Sequence, residues 1–225
     1  ISIYLESLKK EIEAVGHLVT RDAVVTAVHF GGGSPTMLRP GDLIALMAAL
    51  RKAFHFSDDV EISVEMDPND LDEPRYDALA AIGMTRASLG VQDFNPTVQK
   101  TINRIQTFEK TKEIFDIARE IGYTSINGDI IYGLPHQTRA RIADSVQKLL
   151  SLSPDRVALY GYAHVPWMSR RQQMIPSDTI PTPQERLKLF EAAAKEPLIH
   201  WTSLATVTER QRSEYGVAAV LSDGR

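Results

Sequence analysis

The residues that could do chemistry are few, and each stands at or near the end of an apolar run. Gly31, Gly32 and Gly33 come straight after Val24–Phe30 and are followed by Ser34, Pro35 and Thr36. Lacking a Cβ, such glycines let backbone amides and carbonyls come close to a ligand, and a proline sets the turn before any ligand arrives. The same spacing also suits a plain tight turn between strand and helix. Glu65 closes the alternating run Val60–Met66, just ahead of Asp67-Pro68. It meets a cation or N–H donors if it faces a cavity, and is a solvated edge carboxylate if it does not. Gln92, at the tip of Arg86–Phe94, offers one acceptor group and two donors. Arg104 is either a surface cation or, through its planar fork, a partner for a carboxylate. Asp129 interrupts the apolar run Tyr123–Tyr132, and a buried carboxylate needs a partner, which favours a ligand contact. His17 and His29 fit no metal-ligand spacing and read as structural.

These side chains need elements to hold them. Helical spacing of apolar residues runs over 2–17 (Ile3, Leu5, Leu8, Ile12, Val15) and over Asp42–Phe56 (Leu43, Leu46, Met47, Leu50). It returns over Glu73–Ile82, Phe108–Ile121, Ile142–Leu152 and the stretch opened by Pro181-Thr182-Pro183. Residues 95–106 read as a loop with a short helix. Between the helices lie five strand-like runs, ending at Phe30, Met66, Phe94, Tyr132 and His164. Alternation at roughly 30-residue spacing predicts an α/β array of parallel strands, with its ligand site at the strands' C-terminal ends. Glycines or polar residues mark every one of those ends: Gly31–Ser34, Glu65, Gln92, Asp129, and Ala163 with His164.

Composition narrows the function. The 225 residues are 43% hydrophobic, enough for one sizeable core, and a net charge of −4 argues against nucleic acid as a partner. No apolar run approaches the roughly 20 residues of a membrane span, and no signal segment opens the chain, so a cytoplasmic location is expected. The chain has no cysteine, which excludes a disulfide scaffold and any thiolate-held metal or cluster within it. It begins at Ile1 inside a helical pattern, which reads as a fragment.

Five motifs in order carry a resemblance over about residues 1–192: Phe30–Thr36, Glu61–Pro68, Leu89–Asn95, Asn127–Thr138 and Tyr162–Pro166. Together they resemble the radical SAM enzymes, and most closely the oxygen-independent coproporphyrinogen III oxidases among them. A related branch acts as haem chaperones. Gln92-Asp93-Phe94 and Tyr162–Pro166 are similar to the oxidase branch.

The resemblance implies a partial, TIM-like (β/α) radical SAM barrel over 1–194, followed by a divergent tail, 195–225, on which no fold is forced. It implies S-adenosyl-L-methionine (SAM) as cofactor, two molecules in this family, with a reduced [4Fe-4S] cluster that cleaves SAM to a 5′-deoxyadenosyl radical. That radical takes hydrogen from a propionate of coproporphyrinogen III. Loss of CO2 and an electron leaves a vinyl group, and two rounds give protoporphyrinogen IX. An external electron donor and a monomeric state are expected. By the same resemblance Gly32 and Glu65 match residues at the first SAM, where a glycine backbone and a carboxylate suit an ammonium group. Gly33, Ser34, Gln92, Arg104, Asp129 and Ala163 match those around the second. The family's Cys-x3-Cys-x2-Cys loop has no counterpart here, so the chain alone is expected to be inactive, with no catalytic or metal-binding residue of its own. The alternative is a cysteine-free remnant or chaperone-like relative that binds SAM or haem. A phosphate-binding barrel lyase would explain the glycines but not Gln92, Arg104 and Asp129.

Overall fold

The computed structural model describes residues 1–20, 22–32, 34–168, 170, 172–195, 200–203 and 218–222. The chain divides into two compact units, residues 1–88 with 118–124, and residues 89–117 with 125–225. Strand β3 (Arg86–Gln92) and helix α5 (Phe108–Ile121) each contribute to both.

The first unit contains α1 (Ser2–Leu18), β1 (Val24–Phe30), α2 (Pro40–Ala53), β2 (His55–Met66) and α3 (Glu73–Ala81). β1 and β2 are parallel, with His29 opposite Ser63 and Phe30 opposite Val64. The alternation of β2 puts Ile62, Val64 and Met66 in the core, with Leu43, Leu46, Met47 and Leu79, and sends Ser63 and Glu65 to the other face. α3 starts where Asp72 accepts hydrogen bonds from the Arg75 backbone and side chain, at 3.1 and 2.6 Å. It stops at Gly83, whose φ of +80° suits glycine.

The periodicity places residues 54–56 in α2 and begins the next strand at Val60. Instead α2 ends at Ala53, and β2 starts at His55. His55 and Phe56 pair with Val24 and Val25, and the Arg51 guanidinium lies 5.2 Å from the centre of the Phe56 ring. The polar run Ser57-Asp58-Asp59 masks the strand in the sequence. The ladder absorbs it as an irregularity, since Val25 faces Phe56 while Ala27 faces Glu61.

The second unit contains the end of β3, α4 (Pro96–Thr101), β4 (Ser125–Tyr132), α6 (Arg139–Ser151), β5 (Arg156–Gly161) and α7 (Pro183–Ala194). β4 and β5 are parallel, with Asp129 opposite Ala158. Ile126 and Ile130 of β4 pack into a core with Ile142, Val146 and Leu149 of α6 and Leu159 of β5. A Cβ on Gly128 would lie 2.7 Å from Leu149 Cδ1, so a glycine lets the helix seat directly on the strand. The other face of β4 carries Asn127 and Asp129. Thr138 and Thr182 cap α6 and α7, the latter in a reciprocal capping box with Glu185.

The expected α/β class holds, with strands and helices alternating in chain order and parallel pairing in β1–β2 and β4–β5. In the tail, where no fold was expected, the described residues form β6 (His200–Ser203) and β7 (Ala218–Ser222), which pair antiparallel. β7 also pairs antiparallel with β5, covering that strand's hydrogen-bonding edge. Among the described residues, no helix is long and apolar enough to cross a membrane.

Candidate cofactor site

The first unit holds one polar cluster at the C-terminal ends of β1 and β2. Gly32 takes φ +76°, a left-handed conformation that a side chain would disfavour. In that conformation its N–H donates to Glu65 Oε2 at 3.1 Å. The other carboxylate oxygen, Oε1, lies 3.4 Å from His29 Nε2. His29 Nδ1 lies 2.8 Å from the Ser63 hydroxyl. The Ser63 hydroxyl also reaches the Val28 carbonyl, at 3.3 Å, which ties the ring to the β1–β2 ladder. Both side chains are about half exposed, His29 at 55% and Glu65 at 46%, so a ligand can reach them. Gly31 completes the cradle, since a Cβ there would fall 2.5 Å from His29 Nε2 and 3.1 Å from Glu65 Oε1.

Ser34 serves the same loop differently. Its hydroxyl donates to Asp70 Oδ2 at 2.8 Å and lies 3.2 Å from the Thr36 hydroxyl. Thr36, fully buried, also accepts from the Asp67 N–H at 3.4 Å. This ties the turn after β1 to the turn after β2. Gly33, expected among the ligand contacts, lies outside the described residues.

The second unit holds its own cluster around the end of β3. Gln92 is the central residue of a γ-turn, with φ +68° and the Asp93 N–H donating to Val91 O at 2.9 Å. That turn is rare and strained for a residue with a side chain. It folds the Gln92 side chain back over Gly90, where a Cβ would lie 2.8 Å from Gln92 Nε2 and 3.2 Å from Arg104 Nη2. Arg104 Nη2 donates to Gly90 O at 3.0 Å. Two of the expected residues, twelve positions apart, therefore converge on one glycine. Asp129 is half-buried, and its Oδ1 accepts from Asn127 Nδ2 at 2.6 Å along the same strand face. Ala163 presents its carbonyl to Gln172 Nε2 at 3.1 Å, while Gln172 Oε1 accepts the Val165 N–H at 2.5 Å. The loop after β5 is thus fixed at its base.

Two groups escaped the sequence reading. His29, read as structural, sits against Glu65; only the register that sets it opposite Ser63 reveals this. Asp93 and Gln137 belong to the motifs that carry the resemblance, but their buried bonding to each other spans 44 positions and leaves no local trace. No group of three or more His, Cys, Asp or Glu side chains among the described residues could hold a metal ion.

Comparison with known proteins gives the family and the fold. The model of the radical SAM superfamily matches residues 2–149. The chain is 52% identical over 194 residues to the oxygen-independent coproporphyrinogen III oxidase of Paracoccus denitrificans, covering 86% of this chain and 43% of the relative. It is 48% identical over 201 residues to the enzyme of that name from Cereibacter sphaeroides, covering 89% and 44%. Among solved structures, coproporphyrinogen III oxidase (HemN) from Escherichia coli, described as a radical SAM enzyme, matches with a TM-score of 0.86 at 34% identity, covering 98% of this chain and 48% of that one. Elp3 from Methanocaldococcus infernus shares the fold alone, with a TM-score of 0.63 at 16% identity. The chain spans less than half the length of the coproporphyrinogen III oxidases it matches.

Proposed function

Because this chain belongs to the radical SAM superfamily, we propose that it is the barrel segment of an oxygen-independent coproporphyrinogen III oxidase and that its two polar clusters bind SAM. The observation that carries the reading is the half-exposed Glu65 carboxylate beside the open backbone of Gly31 and Gly32, in a chain 52% identical over its aligned length to an oxidase of that name.

The residues present fit SAM. Glu65 supplies the negative charge for the ammonium group, the Gly32 N–H holds that carboxylate in place with His29 beside it, and Gly31 leaves room for both side chains. In the second unit, the Arg104 guanidinium and the Gln92 amide over Gly90 suit a carboxylate. Asp129 suits a ribose diol or a cation, and Gly33, Ser34 and Ala163 are proposed as SAM contacts on the family motifs they match. A [4Fe-4S] cluster does not fit, because the chain contains no cysteine, and none is assigned to these residues.

In the oxidase, SAM and the cluster supply the radical chemistry that oxidatively decarboxylates two propionates of coproporphyrinogen III to vinyl groups, giving protoporphyrinogen IX. The work of this chain is to bind and orient. The substrate, an external electron donor, a monomeric state and a cytoplasmic location are part of the proposal.

A chimera tests it. The 194 aligned residues replace their counterpart in the Paracoccus denitrificans enzyme, and the product is assayed anaerobically with SAM and reductant. Formation of protoporphyrinogen IX is expected. A folded chimera that carries its cluster but forms no product contradicts the proposal.

A further inference from the structure

Asp93 is fully buried, and its carboxylate accepts hydrogen bonds on both oxygens. Oδ2 accepts from Gln137 Nε2 at 2.6 Å. Oδ1 accepts from the Asn95 N–H at 2.6 Å and from the Ser145 hydroxyl at 3.0 Å. Ser145 spends its one proton on Asp93 and uses a lone pair to accept the Phe94 N–H at 3.0 Å. The Asp93 carbonyl accepts from Gln99 Nε2 at 2.8 Å.

Gln137 is equally committed. Its second N–H donates to Ile131 O at 2.8 Å, and its Oε1 accepts from Gly133 and Leu134 at 2.7 and 3.1 Å. With both donors and both lone pairs used, the Gln137 amide cannot flip, so the group facing Asp93 is fixed as N–H. The Gln137 N–H and the Asn95 N–H therefore each need an acceptor oxygen at position 93.

The residue immediately before this anchored group is Gln92, whose γ-turn stores strain. Strain of this kind persists only where the surroundings over-determine the backbone, and here Asp93 is locked at once to the loop between β4 and α6, to α4 and to α6. We infer that Asp93 is a positioning residue: its buried carboxylate holds the γ-turn at Gln92, and so keeps the Gln92 amide beside Arg104 over Gly90. The inference rests on the reading of Gln92 as a SAM contact. An asparagine at 93 could still accept from Gln137, but its NH2 would then face the Asn95 N–H, donor against donor. The turn would be released and Gln92 would relax to an ordinary φ.

The test is a double-mutant cycle read on SAM affinity, by calorimetric titration of this chain, with melting temperature followed in parallel. Gln92→Ala and Asp93→Asn are each expected to weaken SAM binding about fivefold or more, and the double variant to bind no more weakly than Gln92→Ala alone. Equal losses from Asp93→Asn in both backgrounds, or no loss at all, overturn the inference while the reading of Gln92 stands. A Gln92→Ala chain that binds SAM as tightly as the parent overturns the reading itself, and the inference with it, as does a parent chain that does not bind SAM. If Asp93→Asn fails to fold, Ser145→Ala takes its place, because it removes one donor and leaves the carboxylate. A smaller loss of affinity that vanishes in the Gln92→Ala background is then expected, and a loss that persists there overturns the inference.

Discussion

The Gly32 N–H donates to Glu65 Oε2 at 3.1 Å, joining the glycine turn after β1 to the carboxylate at the end of β2. Each part needs the other. The turn has its left-handed φ because position 32 is glycine, and the carboxylate is anchored by a backbone amide, with His29 Nε2 3.4 Å from its other oxygen. The carboxylate is half exposed and so open to a ligand.

Glu65→Gln keeps the shape and removes the charge. SAM binding to the chain is expected to weaken about 10-fold or more, the range lost when a hydrogen bond to a charged group is removed. The melting temperature should stay close to that of the parent, because the side chain is half exposed. Titration calorimetry and thermal unfolding on the same sample check both.

Two glycines separate site from core. Alanine at Gly90 meets only the far ends of Gln92 and Arg104, which can move aside. Gly90→Ala should therefore retain the fold and lose SAM affinity. Alanine at Gly128 meets Leu149, a fully buried side chain. Gly128→Ala should destabilise by about 1–3 kcal/mol, the usual cost of overpacking a core. Chemical denaturation of both variants reads the contrast.

Burial pushes the Asp93 carboxyl above its ordinary range, against the pull of its bonds from Gln137, Asn95 and Ser145. A carboxyl raised in the folded state binds more protons there than when unfolded, so its effect on stability turns unfavourable as pH rises from about 3.9 through the folded value. The stability advantage of the parent chain over Asp93→Asn should therefore shrink as pH is raised from about 4 to 7. Melts of both across that range check the sign.

Much of the fold is legible in the sequence because each strand ends on a glycine or a polar residue after an apolar run. Gly32, Glu65, Gln92 and Asp129 all stand at the end of a strand or facing away from the core, as the alternation of β2 and β4 requires. The start of β2 was illegible because Ser57-Asp58-Asp59 break its alternation, and pairing with Val24 and Val25 overrides local preference. The partnership of His29 with Glu65 needed the strand register, and the locking of Gln92 needed bonds between residues 93, 137 and 145. Such long-range bonds are invisible to periodicity, which reports only which face a residue takes.

The most direct measurement of the central claim is equilibrium binding of SAM to the purified chain, compared with Glu65→Gln and Arg104→Gln. Saturable binding by the parent, weakened in each variant without loss of fold, is the predicted result. No binding by a folded parent chain, or binding indifferent to both substitutions, would contradict the account.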